Sequence, residues 1–195
     1  ELYAEILDDV QGALWSYRSI EKTRIQRDEL PELQRIVVAI DPAVTNTEES
    51  DETGIIVAGV SHNNRYYVID DVSGRMSPDG WGRSAIDMFY KYQADRIVAE
   101  VNNGGDLVEK LLRNIDDTVP YTPVRASRGK LVRAEPIAAL YEQEKVSHVG
   151  MFKELEDQLC SYAANSAKSP DRLDALVWAL TELSQSSGTA IWRVS

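Results

Sequence analysis

Three carboxylates in this sequence stand where a fold can hold them still. Asp41 ends the run RIVVAIDPA, Glu100 ends the run RIVAE, and Asp174 lies early in SPDRLDALVWAL. The first two runs share one pattern: an arginine, a few apolar and mostly β-branched residues, an alanine, and a carboxylate close behind it. Short apolar runs of this kind read as buried strands. If the two strands are neighbours, their tips bring Asp41 and Glu100 together, and a helix packed alongside can add Asp174. Carboxylates converging in a half-buried place repel one another and bind protons more tightly. A hard divalent cation removes that conflict, because Mg²⁺ takes oxygen ligands from a few carboxylates and from substrate phosphate. Two such ions, about 3.5–4 Å apart, form a clamp for phosphoryl transfer, one activating the attacking water and the other stabilising the leaving oxygen. An acid at a strand end is also a common loop residue or helix cap, and spacing alone leaves both readings open.

The elements that must position these residues follow from periodicity. RIVVAIDPA, GIIVAGV and RYYVIDDVSG read as three successive strands joined by short links, an antiparallel meander. SPDGWGRSAIDMFYKY is a helix with Ala85, Met88, Phe89 and Tyr92 on one face. RIVAEVN is a fourth strand, GGDLVEKLLRNI a helix and YTPVRAS a fifth strand. KLVRAEPIAALYEQEKV is a helix interrupted or started by Pro136, and SHVG is a short connecting piece. MFKELEDQLCSYA and SPDRLDALVWALTELS are helices, the last with Ser169 able to cap it and Pro170 suited to its first position. The predicted fold is α/β, a mixed sheet of about five or more strands, the first three antiparallel, flanked by helices.

Ahead of the first strand, Leu2, Ile6, Val10 and Leu14 recur every fourth residue and predict helix, and RIQRDELPEL reads as a linker. The expected division is a helical connector over 1–34, a catalytic-type domain over 35–184 and a tail over 185–195.

The 195 residues carry a formal charge of −11, which disfavours a general nucleic-acid binder, since phosphate affinity comes from Lys and Arg. It does not exclude a nuclease, which needs clustered carboxylates and only a local basic track. VRASRGKLVR supplies such a track in Arg125, Arg128, Lys130 and Arg133, with a solvated loop as the plainer reading. Asn102, Asn103, Gly104 and Gly105 precede a helix start that favours an anion, or form a simple capped turn. In the loop holding Glu48, Glu49, Asp51 and Glu52, either Asp51 or Glu52 could reach the metals, although a solvated acidic loop is favoured. His62 and His148 are expected in structural roles. Trp178, with Leu176, Leu180 and Leu183, is expected in the core. Cys160 is the lone cysteine, so no internal disulfide forms, and its helical spacing with Leu155 and Leu159 places it in the core. No run of about 18 apolar residues suggests a membrane span.

In order along the chain, RIVVAIDPA, DETGIIVAG, RIVAEVNNGGDLV and SPDRLDALVWALTEL resemble the nuclease domain of tailed-phage large terminases, in the RNase H-like, integrase-like superfamily. The resemblance covers about residues 35–184. The last-helix pattern and the strand–Glu–Asn-Asn-Gly-Gly pattern together make it specific. It implies an RNase H-like fold and a metal-dependent endonuclease that cuts concatemeric viral DNA during packaging, leaving a 3′-hydroxyl and a 5′-phosphate. The catalytic carboxylates fall on Asp41, Glu100 and Asp174, binding two Mg²⁺ or Mn²⁺ ions. Asp171 occupies a place that in some relatives holds a histidine or another acid assisting the metals. The implied partners are double-stranded DNA, an ATPase motor, a portal and a small terminase subunit, in the host cytoplasm and outside the mature virion, with no membrane. No G-x-x-x-x-G-K-[ST] motif is present, so the chain is expected to be an excised nuclease domain whose first residues connect to a missing motor. Two rivals stay open: a docking module whose acids are no longer used, and an actin-like ATPase. The latter needs a glycine-rich phosphate loop where this chain has the acidic VTNTEESDETG.

Overall fold

The computed structural model describes residues 10, 12–42, 52–101, 106–126, 129–163 and 170–186. Its centre is a six-stranded sheet. Strands β1 (Leu33–Asp41), β2 (Gly54–Ser61) and β3 (Tyr66–Asp71) pair antiparallel in succession, as the short links between them predict. Strand β4 (Arg96–Glu100) lies parallel to β1, and β5 (Tyr121–Val124) lies parallel to β4. Strand β6 (Val146–His148) pairs parallel with β3, giving the spatial order β5-β4-β1-β2-β3-β6.

Among the described residues, six α-helices flank the sheet: α1 (Tyr17–Thr23), α2 (Pro78–Lys91), α3 (Asp106–Ile115), α4 (Lys130–Glu142), α5 (Lys153–Ser161) and α6 (Asp171–Ser186). Strand alternation splits the interior into two cores. Val37, Ala39, Ile56, Ala58 and Val98 face one way, against α4, α5, α6 and the Trp15–Ile20 segment. Val38, Ile40, Ile55, Val57, Ile97 and Ala99 face the other way, against α2 and α3. Both faces are covered, which is why β1, β2 and β4 are apolar at nearly every position instead of at alternate ones. Helix α6 lies across the middle of the sheet; its central residues 175–180 are apolar and buried on every side, and Leu173 and Leu183 at its flanks are 0–1% exposed. Cys160 is buried beside Leu155 and Leu159, in the core as its spacing predicts.

The elements differ from expectation in four places. The piece SHVG forms part of β6, whose three residues are all buried; so short a strand shows no periodicity. Helix α4 runs through Pro136. The polar stretch before β1 carries a 3₁₀ turn at Arg27–Glu29, and β1 itself begins at Leu33. Val10 and Leu14, predicted helical, are not: the chain there bridges Ala13 to Ala163 and bonds Leu14 N–H to the Tyr162 carbonyl at 3.0 Å, and helix starts only at Tyr17. Leu2 and Ile6 lie outside the described residues, as does the tail beyond 186.

A polar network fastens the N-terminal segment to the body. Arg24 donates to both oxygens of Glu156, at 2.7 and 3.0 Å. Glu156 also meets His148 Nδ1 at 2.9 Å, and His148 Nε2 meets the Tyr141 hydroxyl at 2.8 Å. His148 is fully buried, and burial holds its basicity below the ordinary value. Burial pushes the Glu156 carboxyl up, but hydrogen bonds from His148 and Arg24 prevail and bring it down to about 2. His62, the other histidine, lies exposed in the turn after β2. Among the described residues no helix is long and apolar enough to cross a membrane.

Candidate active site

The register of the sheet decides where the carboxylates stand. Ile40 pairs with Ala99 across β1 and β4, so the next residue of each strand, Asp41 and Glu100, ends its strand at the same level. Ile40 and Ala99 face α2 and α3, so Asp41 and Glu100, one residue on, turn to the side covered by α6. The first turn of α6 carries Asp171 and Asp174 to that side. Acids suit a helix start, where unpaired N–H groups carry partial positive charge. The side chain of Gln158 caps that start, accepting from the N–H groups of Arg172 and Leu173 at 3.1 and 3.3 Å.

These four carboxylates share one electrostatic environment. Asp41 is pushed well above the ordinary carboxylate range, first by burial and then by the charge of Asp174, with Glu100 and Asp171 adding to it and Lys130 opposing. Glu100 is 8% and Asp174 3% exposed. Lys130, the first residue of α4, places Nζ 2.5 Å from Asp174 Oδ2. Burial works against its charge, but the Asp174 hydrogen bond and the negative charges of Asp41 and Glu100 raise its affinity for the proton.

Glu100 is held at both oxygens. The Trp178 indole N–H donates to Oε2 at 3.0 Å, and Arg133 Nη1 approaches Oε1 at 3.5 Å. The Arg133 guanidinium also lies over the Trp178 ring, 4.5 Å from its centroid. Arg125 is exposed and follows Val124, the residue of β5 that pairs with Glu100, so it stands at the same end of the sheet. Lys130 and Arg133 therefore engage the carboxylates directly, while Arg125 faces solvent beside them. Arg128, Asn102 and Asn103 lie outside the described residues, as do Glu48, Glu49 and Asp51. Glu52 is described, and its carboxylate is engaged by Arg172 at 3.1 Å.

Trp178 and Arg172 are the contributors that sequence reasoning missed. Trp178 is in the core as predicted, at 6% exposure, but its position four residues after Asp174 puts its N–H on the same helix face as that carboxylate. That spacing was a signal available in the sequence.

The donor set fits a divalent cation in chemistry: hard oxygen ligands, excess negative charge, and an ammonium drawn in among them. It does not form a ready cage, since among the described residues no group of three or more His, Cys, Asp or Glu could hold a metal ion as arranged. Lys130 and Arg133 stand against the carboxylates instead.

Residues 38–183 match the family model described as the terminase RNaseH-like domain. No curated protein sequence matches the chain. Among solved structures, the human cytomegalovirus terminase nuclease domain superposes with a TM-score of 0.65 at 15% identity, covering 92% of this chain and 99% of that one. The large terminase of a thermophilic bacteriophage gives 0.65 at 11% identity; 86% of this chain is covered, but it spans only 44% of that protein. A mutant nuclease domain of the large terminase subunit gp2 of bacterial virus Sf6, solved with manganese and beta-thujaplicinol, gives 0.63 at 12% identity, covering 86% and 98%.

Proposed function

The chain belongs to the terminase RNaseH-like domain family, and from that premise we propose that it is a divalent-metal-dependent DNA endonuclease that cuts concatemeric viral DNA during packaging. The observation that carries this reading is the convergence of Asp41, Glu100 and Asp174 from two strand tips and one helix start, with Asp41 strained by its neighbours' charge. Carboxylates gathered this way repel one another, and a bound cation relieves that repulsion.

Asp41, Glu100 and Asp174 would hold two Mg²⁺ or Mn²⁺ ions, with Asp171 assisting. Bound there, the ions supply Lewis acidity toward a phosphodiester and a water nucleophile. The likeness to a nuclease domain solved with manganese supports the choice of metal. The reaction is hydrolysis: water displaces the 3′ oxygen, leaving a 3′-hydroxyl and a 5′-phosphate. The chain's own residues prepare the site. Trp178 and Arg133 fix Glu100, each using one lone pair of an oxygen that has another to offer. Lys130 balances the cluster and leaves Asp174 for incoming phosphate. Arg125, Arg128, Lys130 and Arg133, with Asn102 and Asn103, track the DNA backbone. In the assembly the domain works with an ATPase motor, a portal and a small terminase subunit in the host cytoplasm.

The test is cleavage of supercoiled plasmid in Mn²⁺, Mg²⁺ and EDTA, with Asp174→Asn as control. Nicking and linearisation that need metal and vanish in the control are expected. No cutting together with no Mn²⁺ binding would turn the reading to a docking module.

A further inference from the structure

Gly54 and Arg172 lie outside the four carboxylates, yet both touch the elements that carry them. Gly54 opens β2 and stands opposite Asp41 in the β1–β2 ladder. A methyl group built on Gly54 would lie 2.1 Å from the carbonyl oxygen of Asp171, 2.7 Å from its carbonyl carbon and 3.0 Å from Ala175 Cβ. The backbone of α6 thus rests directly on the strand, beside the residue paired with Asp41. Only glycine leaves room for that approach.

Arg172 fixes the same turn in rotation. Its Nε and Nη2 donate to Glu52 at 3.1 and 3.4 Å, and its Nη1 donates to Asp71 Oδ2 at 2.8 Å. The two acceptors bracket Gly54: Glu52 lies two residues before it, and Asp71 pairs with Ile56, two residues after it. At about 100° per residue, Arg172 points nearly opposite to Asp174, so the guanidinium grips the sheet from behind the carboxylate. The arginine side chain is 10% and that of Asp71 4% exposed, so the grip is largely shielded from water.

We propose that Gly54 and Arg172 are positioning residues of the metal site: the glycine sets how closely the first turn of α6 approaches Asp41, and the arginine sets how that turn is rotated. The inference rests on the proposed metal-dependent nuclease. Mg²⁺ requires its oxygens at about 2.0–2.1 Å in near-octahedral array, and a site of this kind tolerates displacements of only about 0.5 Å. Gly54→Ala must widen the gap between β2, paired with Asp41, and the Asp171 carbonyl by more than that, because real Cβ contacts essentially never fall below 3.0 Å.

The experiment is calorimetric titration of Mn²⁺ into the whole chain and its variants Gly54→Ala, Arg172→Met, Arg172→Lys and Leu183→Ala, with circular dichroism to confirm folding. Leu183 is buried toward the other end of α6 and loses packing without touching the first turn. Gly54→Ala and Arg172→Met are expected to weaken Mn²⁺ binding at least tenfold, Arg172→Lys about threefold, and Leu183→Ala less than twofold. If the two stronger variants do not fold, the milder Arg172→Lys decides alone. Binding within twofold of the unmodified chain in every folded Gly54 and Arg172 variant, or equal weakening by Leu183→Ala, overturns the proposal. An unmodified chain that neither binds Mn²⁺ nor cuts DNA defeats the nuclease reading itself, a different result from normal binding that the variants leave unchanged.

Discussion

Lys130 Nζ lies 2.5 Å from Asp174 Oδ2, so the first residue of α4 brings positive charge to the carboxylate cluster, as Arg133 does at Glu100. The lysine side chain is about half exposed and the aspartate almost wholly buried. Lys130→Met is therefore expected to lower the melting temperature in EDTA by roughly 2–4 °C, the shift that follows about 1 kcal/mol in a domain of this size. Saturating Mn²⁺ restores the charge balance and stabilises the folded form by mass action, so the gap between the EDTA and Mn²⁺ melts should widen. Paired thermal melts check this; an unchanged EDTA melt counts against the role given to Lys130.

Asp41 gives the opposite sign. Its folded-state proton affinity is raised by burial and by Asp174, so the folded chain pays for ionising it as pH climbs above the ordinary carboxylate range. Asp41→Asn keeps the shape and removes that charge. The metal-free protein should melt at a higher temperature at pH 8, while DNA cutting is lost. Differential scanning calorimetry beside the plasmid assay tests both halves.

Trp178→Phe keeps the ring that lies under Arg133 and deletes the N–H that Glu100 accepts. A buried acceptor that loses its donor costs about 1–3 kcal/mol. Cutting is expected to slow by roughly tenfold, the rate equivalent of about 1.4 kcal/mol, with the fold retained. Single-turnover cleavage at saturating Mn²⁺ measures it.

Acid should loosen the edge of the sheet far from the carboxylates. Glu156 has a folded value of about 2 against an ordinary 4.5. An acid depressed in this way stabilises above its unfolded value and loses that contribution as pH falls toward the folded one. His148 is lowered from 6.5 by burial, so the unfolded chain takes its proton first and stability falls as pH drops below about 6.5. In the Asp41→Asn chain, where the opposing contribution of Asp41 is removed, urea midpoints are expected to decline below about 6.5 and fall faster below about 4.5. Glu156→Gln should flatten the last part of that decline.

Much of this arrangement is legible in the sequence. The matching runs ending in Asp41 and Glu100 mark two buried strands tipped by carboxylates, but only the fold makes them neighbours: the parallel pairing of Ile40 with Ala99 brings the two tips level. Strand β6 is not legible, because Val146–His148 is too short to display a period and is recruited by its pairing with β3. Nor are the partners of Lys130 and Arg133. Sequence reveals a cluster of positive charge, but a fold brings in the counter-charge, here from β4 and α6. Gly54 escapes notice for the same reason: its meaning lies in the carbonyl of Asp171, a residue remote from it along the chain.

The network joining Arg24, Glu156, His148 and Tyr141 has a mechanical consequence. Trp15 and Ile20 are buried, and Ile25 is bridged to Val149. A pull on the chain ahead of Trp15 is therefore borne at the β6 edge, three strands from β1. The fastening acts as a strain relief, like a cable clamped before its terminals. A load on that segment falls on one margin of the sheet, away from the strand tips bearing Asp41 and Glu100.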